Sequence, residues 1–335
     1  MLYKLSLVIC IIIMVTGFAG LTAQTIQLVS SGTKTSIRGL SVVDDRVIWV
    51  SGSNGTVGKS VDSGNTFKWI TVKGFEKSDF RDIEAFDDRS AVIMAIAEPA
   101  YILRTTNGGE TWETAYENKT KGMFLDAMEF RSRDSGIVIG DPINGNFFVA
   151  GTFDGGASWQ DISSTLKPAP DSGEACFASS GTNIRSINPG YALVSGGLNS
   201  SLFISGEKMP IPFTRSKETA GGNSLAVKTN LVMVVVGGNF ATKDSIAKNC
   251  FVTKNGGRSW TAPSLSPHGY RSCVEWLDKN NWISCGLNGV DYSKDEGDNW
   301  NWISKESFHV CRKAKKGKAV FFAGNDGRIG KLSGY

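Results

Sequence analysis

The chain has 335 residues, with 36 Lys and Arg against 32 Asp and Glu, a formal charge of +4, 39 glycines and nine tryptophans. So small a positive excess for this length excludes a nucleic-acid footprint. The glycine and tryptophan content with moderate charge points to an all-β repeat protein dense in turns.

At the N-terminus, Met1-Leu2-Tyr3-Lys4 precedes an apolar run over residues 5–15. That is the layout of a secretory signal peptide, and the run is short for a membrane-spanning helix. Cleavage is expected after Ala19 or Ala23, leaving a signal peptide over 1–23 and one domain over 24–335. An uncleaved membrane anchor is the alternative. Cys10 follows Ile9 instead of a small residue, so no lipoprotein anchor is expected. The mature chain, without Lys4, is expected in the periplasm or secreted, as a monomer with no integral membrane segment.

One eight-residue pattern then recurs five times: Ser/Thr-x-Asp/Asn-x-Gly-x-Ser/Thr/Asn-aromatic. It occupies residues 60–67, 105–112, 152–159, 253–260 and 293–300. The Asx side chain can bond backbone two residues on, glycine supplies a positive φ, and the aromatic anchors the outgoing strand. This is a tight turn between strands, a structural device before a catalytic one. Asp62 to Asn107 is 45 residues, Asn107 to Asp154 is 47 and Asn255 to Asp295 is 40. Asp154 to Asn255 is 101, which leaves room for one repeat whose turn has decayed, at Ser205-Gly206-Glu207-Lys208. A period in the forties with four short strands per unit predicts a seven-bladed β-propeller.

The repeated turn resembles the Asp-box, or BNR repeat, of sialidase-like β-propellers. The resemblance implies one such turn per blade, away from the ligand face. Along the whole repeat, units such as Phe80-Arg81-Asp82-Ile83 followed by residues 105–112 look like the photosystem II stability/assembly-factor propellers and their non-photosynthetic bacterial relatives. In that group an arginine-rich patch on one face is associated with docking a partner protein.

Seven short strands open the units: Ile37-Arg38-Gly39-Leu40, Phe80-Arg81-Asp82-Ile83, Phe124-Leu125-Asp126-Ala127, Gly173-Glu174-Ala175-Cys176, Asn223-Ser224-Leu225-Ala226, Tyr270-Arg271-Ser272-Cys273 and Phe308-His309-Val310-Cys311. The last unit lacks an outer strand, and residues 25–29 resemble one, so the N-terminal strand is expected to complete the last blade and remove two exposed edges. Five cysteines remain after cleavage, Cys176, Cys250, Cys273, Cys285 and Cys311. An odd number leaves at least one free thiol, and small buried core residues are the expectation over a bridge. With no CxxC pair and only two histidines, no metal site is expected.

The second residue of each opening strand is the place to look for chemistry, because inner strands surround the channel. Those residues are Arg38, Arg81, Leu125, Glu174, Ser224, Arg271 and His309, with Arg185 and Arg312 close by in sequence. Arg38, Arg81, Arg185, Arg271 and Arg312 are the candidate ligand-binding residues, suited to a carboxylate, phosphate or sugar through bidentate contacts. Ion pairs holding blades in register are the structural alternative. Leu125 and Glu174 interrupt a continuous basic patch. A glycoside hydrolase is the second reading, with Glu84, Glu129, Glu174 and Glu275 as candidate carboxylates and His309 as a proton-transfer candidate, paired with His268. On the sialidase resemblance, Arg38, Arg81 and Arg271 would form an arginine triad beside Tyr270 and Glu275, although Ile37-Arg38-Gly39-Leu40 lacks that family's proline. No Gly-x-Gly-x-x-Gly runs from a strand into a helix and no haem or flavin attachment motif occurs, so no cofactor is expected. The partner is expected to be a protein or a carbohydrate.

Overall fold

The inner strands of the chain hold no exposed residue, as expected of β-branched and aromatic runs between glycine turns when both faces of a sheet are covered. In the computed structural model, which describes residues 23–335 apart from 167, 215 and 216, these strands are Ile37–Val42, Phe80–Ala85, Leu125–Phe130, Ile184–Ser186, Gly222–Val227, Cys273–Asp278 and Val310–Lys313. Each starts an antiparallel meander running outward, and together they make the seven blades. Blade 5 has three strands and carries a lone bridge, Val252 to Thr261, in place of the fourth. The signal-peptide expectation falls almost entirely outside the described residues. Among the described residues no helix is long and apolar enough to cross a membrane.

Ring closure follows the expectation. Thr25–Ser30 pairs antiparallel with Ile329–Ser333, so the last blade takes its outer strand from the start of the domain. Cores lie between consecutive blades: Trp49 and Val57 of blade 1 pack against Phe80, Ile93 and Leu103 of blade 2.

The five repeated turns share one hydrogen-bond grid. Ser60 Oγ donates to Asp62 Oδ1 at 2.7 Å and accepts from the Gly64 N–H at 3.0 Å, while Asp62 Oδ1 accepts from the Thr66 N–H at 2.9 Å. The same three bonds recur in the other four turns at 2.8–3.1 Å. The glycine is required twice over. Its φ lies between +79° and +90° at Gly64, Gly109, Gly156, Gly257 and Gly297. A Cβ there would also stand 2.5–3.2 Å from the preceding blade, at Phe321, Ile70, Val92, Leu202 and Val234 respectively. Each turn is therefore the knob by which one blade seats on its neighbour. The decayed turn of blade 4 is a two-residue hairpin, Ser205 and Gly206, both at positive φ.

Candidate functional site

A bulge near the start of the inner strands sets the register of the channel. Ile37 pairs with Gly52 and Gly39 with Ser51, which leaves Arg38 without a ladder partner. Arg81, Asp126 and Asn223 are skipped in the same way in blades 2, 3 and 5. In blades 6 and 7 the equivalents are Ser272 and His309, because Arg271, Phe308 and Ile37 alike donate their N–H to the glycine carbonyl of the preceding blade, at Gly237, Gly286 and Gly324. The expected alignment was thus one residue out in blades 3, 5 and 6, and a one-residue slip exchanges the two faces of a strand. Asp126 stands where Leu125 was expected, Asn223 where Ser224 was, and Ser272 where Arg271 was.

Blade 4 departs further. Glu174 and Ala175 pair with Gly197 and Gly196, and the inner strand resumes only at Ile184. The intervening residues 176–183 cross the channel as a plug. Ser180 Oγ donates to the Ser272 carbonyl at 2.7 Å and Thr182 Oγ1 to Ser224 Oγ at 2.6 Å, while the Leu225 N–H donates to the Thr182 carbonyl at 2.9 Å. Arg312 Nη2 donates to the Gly181 carbonyl at 3.0 Å and Arg38 Nη1 to that of Ser179 at 3.4 Å. Gly181, at φ +61°, lies so close to the Asp82 carboxylate that a Cβ would overlap it. The plug therefore touches blades 1, 2, 5, 6 and 7. It was missed in the sequence, although an interval of 101 residues, longer than two repeats, marked its place.

The plug divides the channel into two cavities that share no lining residue. The upper one, about 410 Å³, is lined by Arg38, Arg81, His309, Asp141 and the aromatic rings of Phe124, Phe177, Phe240 and Tyr270. Arg81 Nε donates to Asp79 at 2.8 Å, and its guanidinium sits 5.9 Å from the centre of the Phe124 ring. Arg38 has no carboxylate partner among the described residues; burial, then the Arg81 charge, lower its pKa. Burial and the Arg38 charge bring His309 down to about 4, so its imidazole is neutral at pH 7. Its Nε2 meets Asn325 at 2.9 Å and its Nδ1 has no partner. His268 does not join it: that ring stacks on Trp302 with centroids 4.1 Å apart. Beside the cavity, Asp126 is fully buried with neither carboxylate oxygen partnered. Burial and the neighbouring Asp141 push it well up, and burial raises Asp141 to about 6.

The lower cavity, about 740 Å³, opens where the inner strands end. Three residues beyond the bulge, Ser41, Glu84, Glu129, Ala226, Glu275 and Arg312 occupy one register step. Arg185 spans two of these carboxylates, with Nη1 3.6 Å from Glu129 and Nη2 3.2 Å from Glu275. Arg312 lies 3.9 Å from Glu275, and Lys315 pairs with Glu84 at 2.5 Å. Burial raises Glu275 against the pull of Arg185 and Arg312, and Glu84 against that of Lys315. Asp82, also buried, is raised to about 7.

Two candidates leave the channel altogether. Arg271 is fully buried inside blade 6, where Nε donates to Asp291 at 2.6 Å and Nη1 to the Tyr270 carbonyl at 2.9 Å. Glu174 is enclosed in blade 4, accepting from Lys208 Nζ and the Asp171 N–H, each at 2.7 Å. Neither can meet a ligand. An arginine triad of Arg38, Arg81 and Arg271 is excluded with them. Of the five arginines, then, Arg38 and Arg81 share the upper mouth, Arg185 and Arg312 the lower, and Arg271 is a staple.

No protein-family model matches the chain, and no curated protein matches it. Solved structures do match. YCF48 from Cyanidioschyzon merolae is similar with a TM-score of 0.67 at 16% identity, over 92% of this chain and 98% of that one. YCF48 bound to D1 peptide gives 0.65 at 17% identity, over 91% and 94%. The WD40 propeller domain of Doa1 gives 0.62 at 14% identity, over 93% and 97%. At such identities the likeness shows the fold alone, a seven-bladed β-propeller.

Proposed function

We propose that this chain is an exported docking scaffold whose upper mouth holds an extended segment of a protein partner by a carboxylate and an apolar side chain. One observation carries the reading: Arg38 and Arg81 flank a blind pocket ringed by Phe124, Phe177, Phe240 and Tyr270. A guanidinium already desolvated and without an acidic partner favours a charge-assisted bond to an incoming carboxylate. The aromatic rims suit the flanking apolar side chain, and the plug below makes the pocket a terminus instead of a passage. The YCF48 structure bound to a peptide supports a protein partner over a small molecule.

A glycoside hydrolase is the second reading, and one feature favours it: Asp141 lines the upper cavity with its carboxyl raised to about 6 by burial, as a general acid requires. The glutamates first considered fit it less well, since Glu84, Glu129 and Glu275 are each tied to a basic side chain.

The test is an array of random-sequence fluorescent peptides ending in or containing glutamate, read by polarisation against the wild type, Arg38→Ala and Arg81→Ala. Binders are expected to weaken by about tenfold or more in either variant and to lose affinity with salt. Binders indifferent to both substitutions would sink the docking site. Turnover of a glycoside panel that disappears in Asp141→Asn would replace it with the hydrolase.

A further inference from the structure

Blades 6 and 7 meet over three cysteines drawn from three strands. Cys273 begins the inner strand of blade 6, Cys285 lies opposite it in the second strand Asn281–Gly286, and Cys311 belongs to the inner strand of blade 7. Their Sγ atoms all lie within 4.8 Å of one another, and none of the three side chains is exposed. Cys311 Sγ donates to Cys273 Sγ at 3.6 Å. Backbone holds this pair in place: the Cys311 N–H donates to Cys273 Sγ at 3.3 Å.

Sulfur spacing distinguishes what such a cluster can do. A disulfide requires about 2.05 Å. Thiolates bound to one metal at about 2.3 Å stand about 3.8 Å apart in a tetrahedron and about 4.0 Å apart in a planar triangle. The 3.6 Å between Cys273 and Cys311, the reach of an S–H···S bond between thiols, and the 4.8 Å that bounds all three sulfurs bracket the metal-ligand spacing. No histidine or carboxylate joins the three among the described residues, and the walls are apolar, with Ile283, Val290, Val310 and Phe322 in the same core. A soft, buried, three-sulfur set with no fourth Cys, His, Asp or Glu ligand among the described residues suits copper(I) better than zinc, which completes a tetrahedron.

We propose that Cys273, Cys285 and Cys311 form a three-coordinate thiolate site that takes one copper(I) ion and clamps blade 7 to blade 6. On binding, S–H bonds break and Cu–S bonds form, up to three protons leave to solvent, and no electron is transferred. Arg312, one residue beyond Cys311 and bonded to the plug, offsets part of the negative charge gained. The metal would join blade 7 to blade 6, while the N-terminal strand, which completes blade 7 and leads into blade 1, ties its other side.

The experiment loads the full chain, reduced and under anaerobic conditions, with copper(I) in competition with bicinchoninate. One equivalent retained, three sulfur neighbours at about 2.3 Å by X-ray absorption, and a thermal midpoint raised by about 5 °C or more are expected. Cys10→Ser, Cys176→Ser and Cys250→Ser should keep the bound equivalent, whereas Cys285→Ala and Cys311→Ala, checked for native circular dichroism, should lose it. Should those two variants misfold, the wild-type absorption spectrum still decides the ligand set. Failure to hold one equivalent, retention by folded Cys311→Ala, preference for zinc(II) in the same competition, or a Cys273–Cys311 disulfide in alkylation mass spectrometry of the freshly isolated protein would each overturn the site.

Discussion

Outside blade 4, the two mouths of the channel are made by the same six inner strands, three residues apart in register, yet they use charge in opposite ways. At the lower mouth Glu84, Glu129 and Glu275 are each met by Lys315, Arg185 or Arg312, so charge is spent on holding neighbouring blades together. At the upper mouth Arg38 has no acidic partner among the described residues and Arg81 shares itself between Asp79 and a phenylalanine ring. Residue type alone does not separate a staple from a site. What separates them is whether a guanidinium is already satisfied when the chain has folded.

The largest expected effect breaks that contrast directly. Glu275→Ala strips one carboxylate from Arg185 and the nearest one from Arg312, both largely buried, and is expected to cost about 3 kcal/mol. Arg38→Ala strands no acid, gives up one 3.4 Å bond to the Ser179 carbonyl and relieves repulsion from Arg81, and is expected to cost about 1 kcal/mol or less, while removing the proposed docking charge. Urea denaturation of both variants with unchanged m-values checks the pair. A neutral Glu275→Ala beside a destabilised Arg38→Ala would reverse the roles assigned to the two mouths.

Next in size is the partition between them. Gly181 sits at φ +61° with the Asp82 carboxylate where a Cβ would go. Gly181→Ala combines a left-handed backbone penalty with overpacking, about 2 kcal/mol together. If the plug is what keeps the cavities apart, this variant should also quicken alkylation of buried Cys176, at the plug's first residue. Unchanged stability and unchanged thiol reactivity would show that residues 176–183 do not need their observed path.

Much of this architecture was legible because it depends on local, repeated chemistry. The Asx–glycine–aromatic turns gave the period, and the outer-strand look of Thr25–Ser30 gave the closure. The channel was less legible. Inner strands begin with a bulge, and a bulge shifts register without a compositional mark, so Leu125, Ser224 and Arg271 were read one place away from Asp126, Asn223 and Ser272. Glu174 looked like an ordinary strand opening because the interruption that removes it from the channel comes after it. The cysteine triangle could not be read from spacing at all, since its members come from three strands of two blades and CxxC logic covers only ligands on one turn.

The smallest expected effect per unit of pH sharpens the same comparison, because each mouth holds a buried group, His309 above and Asp82 below, whose shifts act on stability in opposite directions. His309, at the upper mouth, falls to about 4 from 6.5 through burial and the Arg38 charge. Between those values the unfolded chain binds the proton and the folded one does not, so stability rises with pH. Asp82, at the lower mouth, rises to about 7 from 3.8 through burial. Between those values the folded chain holds the proton and the unfolded one has lost it, so stability falls with pH. Each slope approaches about 1.4 kcal/mol per pH unit, and from pH 4 to 6.5 the two oppose each other, with Asp126, Asp141, Glu84 and Glu275, also raised by burial, adding to the falling side. Asp82→Asn, which can still accept from the Met128 N–H, should shift the slope upward relative to the wild type across that range. His309→Gln should shift it downward. Urea midpoints at pH 4.5, 5.5 and 6.5 measure both changes, and two variants that shift the slope in the same direction would mean that one of these groups is not held as its burial requires.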